Sequence, residues 1–571
     1  MSVSTHQKIF FTVLFLLPFS TIAALRHRIL FFNEQILFDL IAVTAGTVLV
    51  KGGKKHDLRS ADLFILFYLL LIAILGLIHP TNWQTVRNIT GSVTILYALA
   101  RTSFCKDAAR IFFSSLSVIF LFVLLMNKIT GQGFMLYNPS LLAHLFVLLN
   151  LHAVLDLTRA IRNCKKKNLL SIISALCGMT AIILLGSRTS FLCIVTVISF
   201  ALLWTSRKRA LVAGSQKYLI ACLLLGVVFT ALLVLKWDST SGRFFVLQRT
   251  ICLFISSLPT GIGPGNFASV YMHEQAHYFA HHSLFSSEAF YADDLYVANN
   301  TFIEFLCETG ILGLLFLVLV FGGCVFAVAR FRREEKFLVP LAFSLVLFIF
   351  CSLSYPFYNT SLKIYLLYFF ADAMRIIPFR SLVAVTSVLR MVGVISLTSV
   401  GAVFAAMDLH TEYYLSKARK CEQEVGRRRN YEEATRFDLT HLAELEFGVY
   451  LKTRKCFALS LPLLRKASRQ FPSSGLYVMI GECYDQMKMY GLAEEAYWCS
   501  IRMVPNRFVP KFRLFRLYIA TGNSAKAGTV AAMIRDQKIK IPSAIIEEMK
   551  HMAEEYLQGV AVSSAGDRSG N

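Results

Sequence analysis

The chain is poor in charge. Only 16% of its 571 residues are Asp, Glu, Lys or Arg, against roughly a quarter in a soluble globular protein. With 56% hydrophobic residues and a mean hydropathy of +0.57, that shortfall excludes an ordinary water-soluble fold. Acidic residues are the scarcer sign, 35 against 58 Lys and Arg, for a net charge of +23. No Cys-x-x-Cys pair occurs among the 13 cysteines, so the thiols inside apolar segments read as buried free groups. In the tail, a Cys483–Cys499 disulfide is a candidate. No Gly-Lys-Ser/Thr follows the glycine cluster at Gly261, Gly263 and Gly265, which removes a Walker A loop, and no soluble βαβ unit surrounds it. No small-x-small cleavage site follows the apolar run from Ile9, so that run reads as an uncleaved first helix.

What the chain has instead is apolar runs close to the roughly 20 residues that span a bilayer. Candidate spans lie at about 8–24, 34–50, 61–78, 88–101, 111–127, 139–157, 168–185, 190–205, 218–236, 308–329, 337–354, 361–375 and 391–407. The expected fold is all-α: a polytopic helical membrane protein of about 13 transmembrane helices with a C-terminal helical repeat domain. The basic residues fall in short clusters in alternate loops, among them Arg159/Arg162/Lys165/Lys166/Lys167 and Arg330/Arg332/Arg333/Lys336. Such clusters mark the cytoplasmic side, so the net charge reads as topology and no nucleic acid is expected as a partner. Arg26 and Arg28 run against the pattern. The Gly186–Ser190 turn and the long segment 237–307 then face outward, and an odd number of spans puts the tail outside too.

Beyond about residue 408 the apolar runs stop. Tyr450, Tyr484 and Tyr518 recur every 34 residues, as do Ala493 and Ala527. That period fits tetratricopeptide hairpins, with two repeats evident and a third, interrupted by Pro462, before them. The expected domains are 1–407 for the membrane part, 408–560 for the repeats and 561–571 for a disordered tail.

Several residues could carry chemistry. Arg188 opens an outward-facing helix, and both a helix N-terminus and a guanidinium attract phosphate; a snorkelling charge at a helix end is the plainer reading. Arg243 follows the ninth span on the same side, so two arginines could clamp a diphosphate bidentately. Arg87 is a third candidate, and Arg249 could share a helix with Arg243. Asp293 and Asp294 are either surface charges or general bases. Asn300, Glu304 and Glu308 form an i, i+4, i+8 ladder on one helical face, and carboxylates entering a membrane helix need partners such as Arg188 or Arg243. Gly263 and Gly265 belong to a turn before a helix. His273-Glu274-Gln275-Ala276-His277 matches H-E-x-x-H, and His281 and His282 extend it; a solvated helix is favoured over a zinc site, and no metal or other cofactor is expected.

Taken in order, the Ser187-Arg188-Thr189-Ser190 turn, Ser241-Gly242-Arg243, Gly261-x-Gly263-x-Gly265-x-Phe267 and Asn300-x-x-x-Glu304-x-x-x-Glu308-x-Gly310-Ile311-x-Gly313 resemble the O-antigen ligase/polymerase superfamily. The tail, with Met503-Val504-Pro505-Asn506-Arg507-Phe508, looks like the repeat domain attached to one branch of it. The resemblance implies a fold like the multi-helical C-type glycosyltransferases. It implies transfer of a glycan from an undecaprenyl diphosphate carrier to an acceptor (lipid A core, a growing polysaccharide or protein) at the periplasmic face of the bacterial inner membrane, without a metal. Arginines that hold the diphosphate carry over to Arg188 and Arg243. Many members have His-Asn where this chain has Asn299-Asn300, so Asn300 matches while the histidine proposed as base is absent. Asp293, Asp294 and His282 are the substitutes. The repeats would recruit acceptors or protein partners.

Two rivals remain at this level. A repeat-unit polymerase would share the donor site and differ in acceptor. A polysaccharide exporter or other transporter would concentrate its charges near the bilayer midplane, whereas here they gather at one face.

Overall fold

The structure, a computed structural model, describes residues 34–51, 57–79, 82–101, 106–130, 139–162, 169–206, 237–331, 334–376, 381–384 and 387–566. The candidate spans at 8–24 and 218–236 lie outside these residues, as does the chain beyond Gly566. Among the described residues the fold is all-α apart from one short antiparallel pair, β1 (Asp57–Arg59) with β2 (Ser381–Ala384), in which Leu58 sits opposite Val383.

Eleven of the thirteen candidate spans are helices among the described residues. They are α1 (Glu34–Lys51), α2 (Ser60–Ile78), α3 (Trp83–Arg101), α4 (Lys106–Thr130), α5 (Pro139–Arg162), α6 (Leu169–Leu185) and α7 (Arg188–Ser206). After three helices of the outer segment, α8 (Trp237–Ser256), α9 (Phe267–His281) and α10 (Ser287–Tyr291), come α11 (Thr301–Phe331), α12 (Leu338–Leu353), α13 (Thr360–Ile376) and α14 (Ser387–Lys420). Stretches of α5, α11 and α14 are long and apolar enough to cross a membrane, and shorter apolar stretches occur in α1, α2, α4, α6, α7 and α12. This is a multi-helical membrane protein.

The chain forms two compact units. The first holds residues up to Lys236, Asn299–Phe305 and Ile311–Leu409. Its centre is α5, which packs on α6 and α7, while α1 and α13 pack on α3. A polar knot crosses this apolar core: Asn150 Nδ2 donates to Ser117 Oγ (2.9 Å) and Phe146 O (2.7 Å), and Ser174 Oγ donates to Asn150 Oδ1 (2.7 Å). In a lipid-like interior such bonds between helices fix register, because no water competes for them.

The second unit holds Trp237–Ala298, Leu306–Gly310 and the chain from His410 onward. The outer segment therefore shares a unit with the tail. One apolar core combines Val246, Phe267, Tyr271, Met272 and Cys307 with Met503 and Val504. The tail begins with α15 (Glu424–Thr435). Three hairpins then follow among the described residues: α16 (Leu442–Thr453) with α17 (Phe457–Gln470), α18 (Ser474–Gln486) with α19 (Tyr490–Met503), and α20 (Phe508–Ala520) with α21 (Ser524–Asp536). They start at 442, 474 and 508, spacings of 32 and 34. A last helix, α22 (Ala544–Gly566), packs on α21.

Close approach within a hairpin explains Gly481. A Cβ there would lie 2.5 Å from the Tyr497 ring, and at Gly448, one repeat earlier, 2.8 Å from Leu464. Two expectations are corrected. Pro462 lies inside α17 without ending it; six residues into the helix, it forfeits little more than one backbone bond. Cys483 and Cys499 are free thiols, and Cys483 is buried in the repeat core. The helix α22 runs on to Gly566.

Candidate active site

The first feature is built by a glycine. Gly186 takes φ +62°, the left-handed conformation that ends a helix after its last turn, and its N–H still bonds to Ile182 O at 3.1 Å. Ser187 follows as the cap of α7: Ser190 N donates to Ser187 Oγ (3.4 Å), and the two hydroxyls lie 3.0 Å apart. Ser187, Thr189 and Ser190 are buried and Arg188 is half-buried. The sequence thus produces a two-residue reversal that makes an arginine the first residue of a helix, at its positive end.

Arg243 lies exposed on α8, in the second unit, on the same helix as Arg249. The Arg249 guanidinium sits 4.1 Å from the Tyr278 ring centroid, and the His282 ring stacks on that ring at 3.9 Å. His282 Nδ1 is 2.8 Å from Tyr278 O. His282 is therefore held against α9 as part of an aromatic–cation stack.

The glycine loop meets a break in α11. Gly310 has φ +61° and ψ −144°, outside helical values. An unbroken helix would use the Cys307 and Glu308 carbonyls for bonds to the next turn. Here the loop takes them: Ile262 N donates to Cys307 O (2.9 Å) and Gly263 N to Glu308 O (3.0 Å). A Cβ at Gly310 would lie 2.1 Å from Pro259 O, so the two backbones touch where only glycine fits. Gly263 and Gly265 have φ +92° and +76°. The Glu308 side chain also accepts from Phe267 N at 3.3 Å, at the start of α9, where a carboxylate complements the helix dipole.

In the first unit, Asn299 adopts φ +55°, a conformation asparagine tolerates better than most residues. Asn300 then caps α11: its Oδ1 accepts from Phe302 N (3.0 Å) and Ile303 N (3.1 Å), and its Nδ2 donates to Ser352 O (2.9 Å). Thr301 Oγ1 donates to Ser354 O at 3.0 Å. These contacts explain why α11 starts at Thr301, seven residues before the expected span. They also use both ends of the Asn300 amide, which gives it a capping task. Glu304 is buried and accepts from the hydroxyl of Tyr358, which is exposed. Sequence reasoning missed Tyr358; the only signal was the Tyr355-Pro356-Phe357-Tyr358 break between two spans.

Arg87 has a different setting. Its Nε and Nη2 donate to Asp39 Oδ2 at 3.0 and 2.8 Å, and Nη2 also bonds to Asp408. Lys363 Nζ donates to Asn88 Oδ1 at 3.0 Å. Two cations and two carboxylates on α1, α3, α13 and α14 balance without any ligand. Arg87, only 1% exposed, pins helices together, and this burial stands against the expectation that it grips a diphosphate.

Asp293 and Asp294 are also engaged. Arg507 Nη2 lies 3.0 Å from Asp293 Oδ1 and 3.1 Å from Asp294 Oδ2, and Ser474 N donates to Asp294 Oδ1 at 2.8 Å. Burial raises the Asp294 carboxyl above its ordinary value, against those two bonds. Both aspartates attach the outer segment to the repeats. On α9, His277 and His281 have ring centroids 5.1 Å apart, while Gln275, between the histidines of the H-E-x-x-H pattern, turns inward to Met503 O and Asp293 O. Among the described residues no three His, Cys, Asp or Glu side chains gather to hold a metal ion.

Residues 173–318 match a protein-family model described as O-antigen ligase. This segment is of the O-antigen ligase-like superfamily. It runs from α6 into α11 and so contains Arg188, Arg243, the glycine loop, Asn300, Glu304 and Glu308, whereas Arg87, Tyr358 and the repeats lie outside it. No curated protein matches the chain. The O-antigen ligase match supports glycan transfer of the ligase or polymerase type in a membrane.

Proposed function

We propose that the protein transfers a glycan from an undecaprenyl diphosphate carrier to an acceptor at the periplasmic face of the inner membrane. The observation that carries this reading is the Gly186–Ser190 reversal inside the matched segment, which makes Arg188 the first residue of α7. Arg188 receives the diphosphate, and Arg243 is the second candidate, tested separately. Guanidinium groups suit this task because they remain charged and bind phosphate oxygens in pairs.

The step is a displacement. An acceptor hydroxyl forms a bond to the anomeric carbon while the bond from that carbon to the diphosphate breaks, and the electron pair leaves with the diphosphate. Charge that grows on the leaving oxygens is met by guanidinium charge. Asp293 and Asp294 are tied to Arg507, and Asn300 is a cap. We therefore assign the acceptor's proton to Glu304, a buried carboxylate that accepts a hydrogen bond from the Tyr358 hydroxyl.

Arg188→Ala and Arg243→Ala should each abolish glycan transfer while leaving the protein inserted and folded. Glu304→Gln should keep donor binding and lose turnover. The assay is release of glycan from extracted lipid-linked donor in membrane vesicles, with insertion checked by immunoblot. Full activity in both arginine variants would remove the diphosphate clamp. Deleting the gene and profiling glycans separates the acceptors: lipid-linked long chains accumulate if the protein is a ligase, and single-unit surface glycans appear if it is a polymerase.

A further inference from the structure

The helix α10 has five residues, so its last carbonyls find no partner in a following turn. One side chain from the repeats answers them. Asn506 Nδ2 lies 2.9 Å from Phe290 O, 2.6 Å from Ala292 O and 3.3 Å from Ala289 O. An amide has two N–H groups, so the two short contacts are the bonds and the third is shared.

Asn506 is itself held from behind. Its carbonyl accepts from Gln537 Nε2. Gln537 Oε1 accepts from Lys511 Nζ, which also donates to Pro505 O. Lys511 and Gln537 are both buried. The hairpin of α20 and α21 thus fixes both sides of the Pro505–Asn506 peptide. Around this point Arg507 bridges Asp293 and Asp294, Lys540 approaches Asp293 at 3.9 Å, and Gln275 links Asp293 O with Met503 O. The ion pairs involve exposed groups, which solvent screens, so the half-buried Asn506 amide carries the greater share. A recruiting appendage needs none of these contacts.

We propose that Asn506 is a positioning residue for glycan transfer, acting through the backbone of 289–292. The segment it holds continues along the chain, seven residues on from Ala292, into Asn299 and Asn300 and the start of α11. The repeats thereby form part of the transfer machinery and hold the outer segment in its working conformation. This inference rests on the transfer reading above.

The test uses the full chain in membrane vesicles supplied with lipid-linked glycan extracted from the deletion strain. Asn506→Asp keeps the shape, removes both donors and adds charge beside Asp293. It should lower kcat by about tenfold or more, the scale of a small misplacement, with the donor KM little changed. Amide exchange at 289–294 should speed up while α20 and α21 keep their protection. Asn506→Gln retains the donors and should recover part of the rate; it also serves if the aspartate variant does not fold. Wild-type kcat in Asn506→Asp, with faster exchange at 289–294, would overturn the positioning role and leave the transfer reading standing. A wild-type protein that consumes no donor would overturn both, and is told apart by that control alone.

Discussion

At the scale of single residues, Arg87 and Arg188 divide by burial, the first buried and the second half-buried. Arg87 is enclosed by Asp39 and Asp408, and breaking such a buried pair strands an uncompensated charge at a cost of about 3–5 kcal/mol. Arg87→Met should therefore lower the melting temperature of the detergent-solubilised protein, and activity should fall only as folded protein is lost. Arg188 is half-buried at the start of α7, so Arg188→Ala should lower the melting temperature less than Arg87→Met does, while transfer disappears. A thermal shift of equal size in both variants would contradict this division. The sequence displayed both arginines at outer helix ends and offered no way to separate them. Asp39 and Asp408 stand 48 and 321 positions from Arg87, and periodicity does not report which distant helices meet. Asn300 shows the same limit: the motif was readable, but its capping bonds to Phe302, Ile303 and Ser352 needed the end of α12 to be in place.

At the scale of elements, apolar runs marked the helices well because hydrocarbon length and helix rise fix how many residues a span needs. The ends were less readable where a cap or a break decides them. The break in α11 is the clearest case. Nothing in Cys307-Glu308-Thr309-Gly310-Ile311 distinguishes a helix interrupted at glycine from a continuous one. The loop of Pro259–Gly265 supplies the difference by bonding the freed carbonyls of Cys307 and Glu308. Gly310→Ala places a methyl group against Pro259 O and imposes a left-handed conformation on alanine. The penalty should be about 3 kcal/mol or more, since strain and a backbone clash add. Its signature is local: the amides of Ile262 and Gly263 should lose exchange protection, while those of α20 and α21 keep it. If Ile262 and Gly263 stay protected in the variant, the loop does not depend on the break.

At the scale of the whole molecule, the 34-residue period foretold helical hairpins but not that the outer segment would join their unit. Amphipathic patterns show that a face is buried and leave open what buries it; Met503 and Val504 cover Phe267 and Tyr271 only once both segments are folded. A repeat array stabilises each hairpin chiefly through its neighbours, so a local electrostatic change should open one end before the other. Glu444 on α16 offers that change. Burial alone would raise its carboxyl, but hydrogen bonds with His441, Asp438 and Lys466 outweigh burial and hold it down to about 2. A carboxyl with a depressed folded value adds stability above its unfolded value, about 4.5, and loses that contribution as the pH falls toward 2. Acidification from pH 5 to pH 2.5 should therefore expose the amides of α16 and α17 to exchange before those of α18 to α21. Glu444→Gln cannot titrate, so its α16–α17 hairpin should start less stable at pH 6 and change less over the same interval. If wild type and variant lose protection in parallel, Glu444 does not govern the acid response, and the opening order must come from the hairpin contacts themselves.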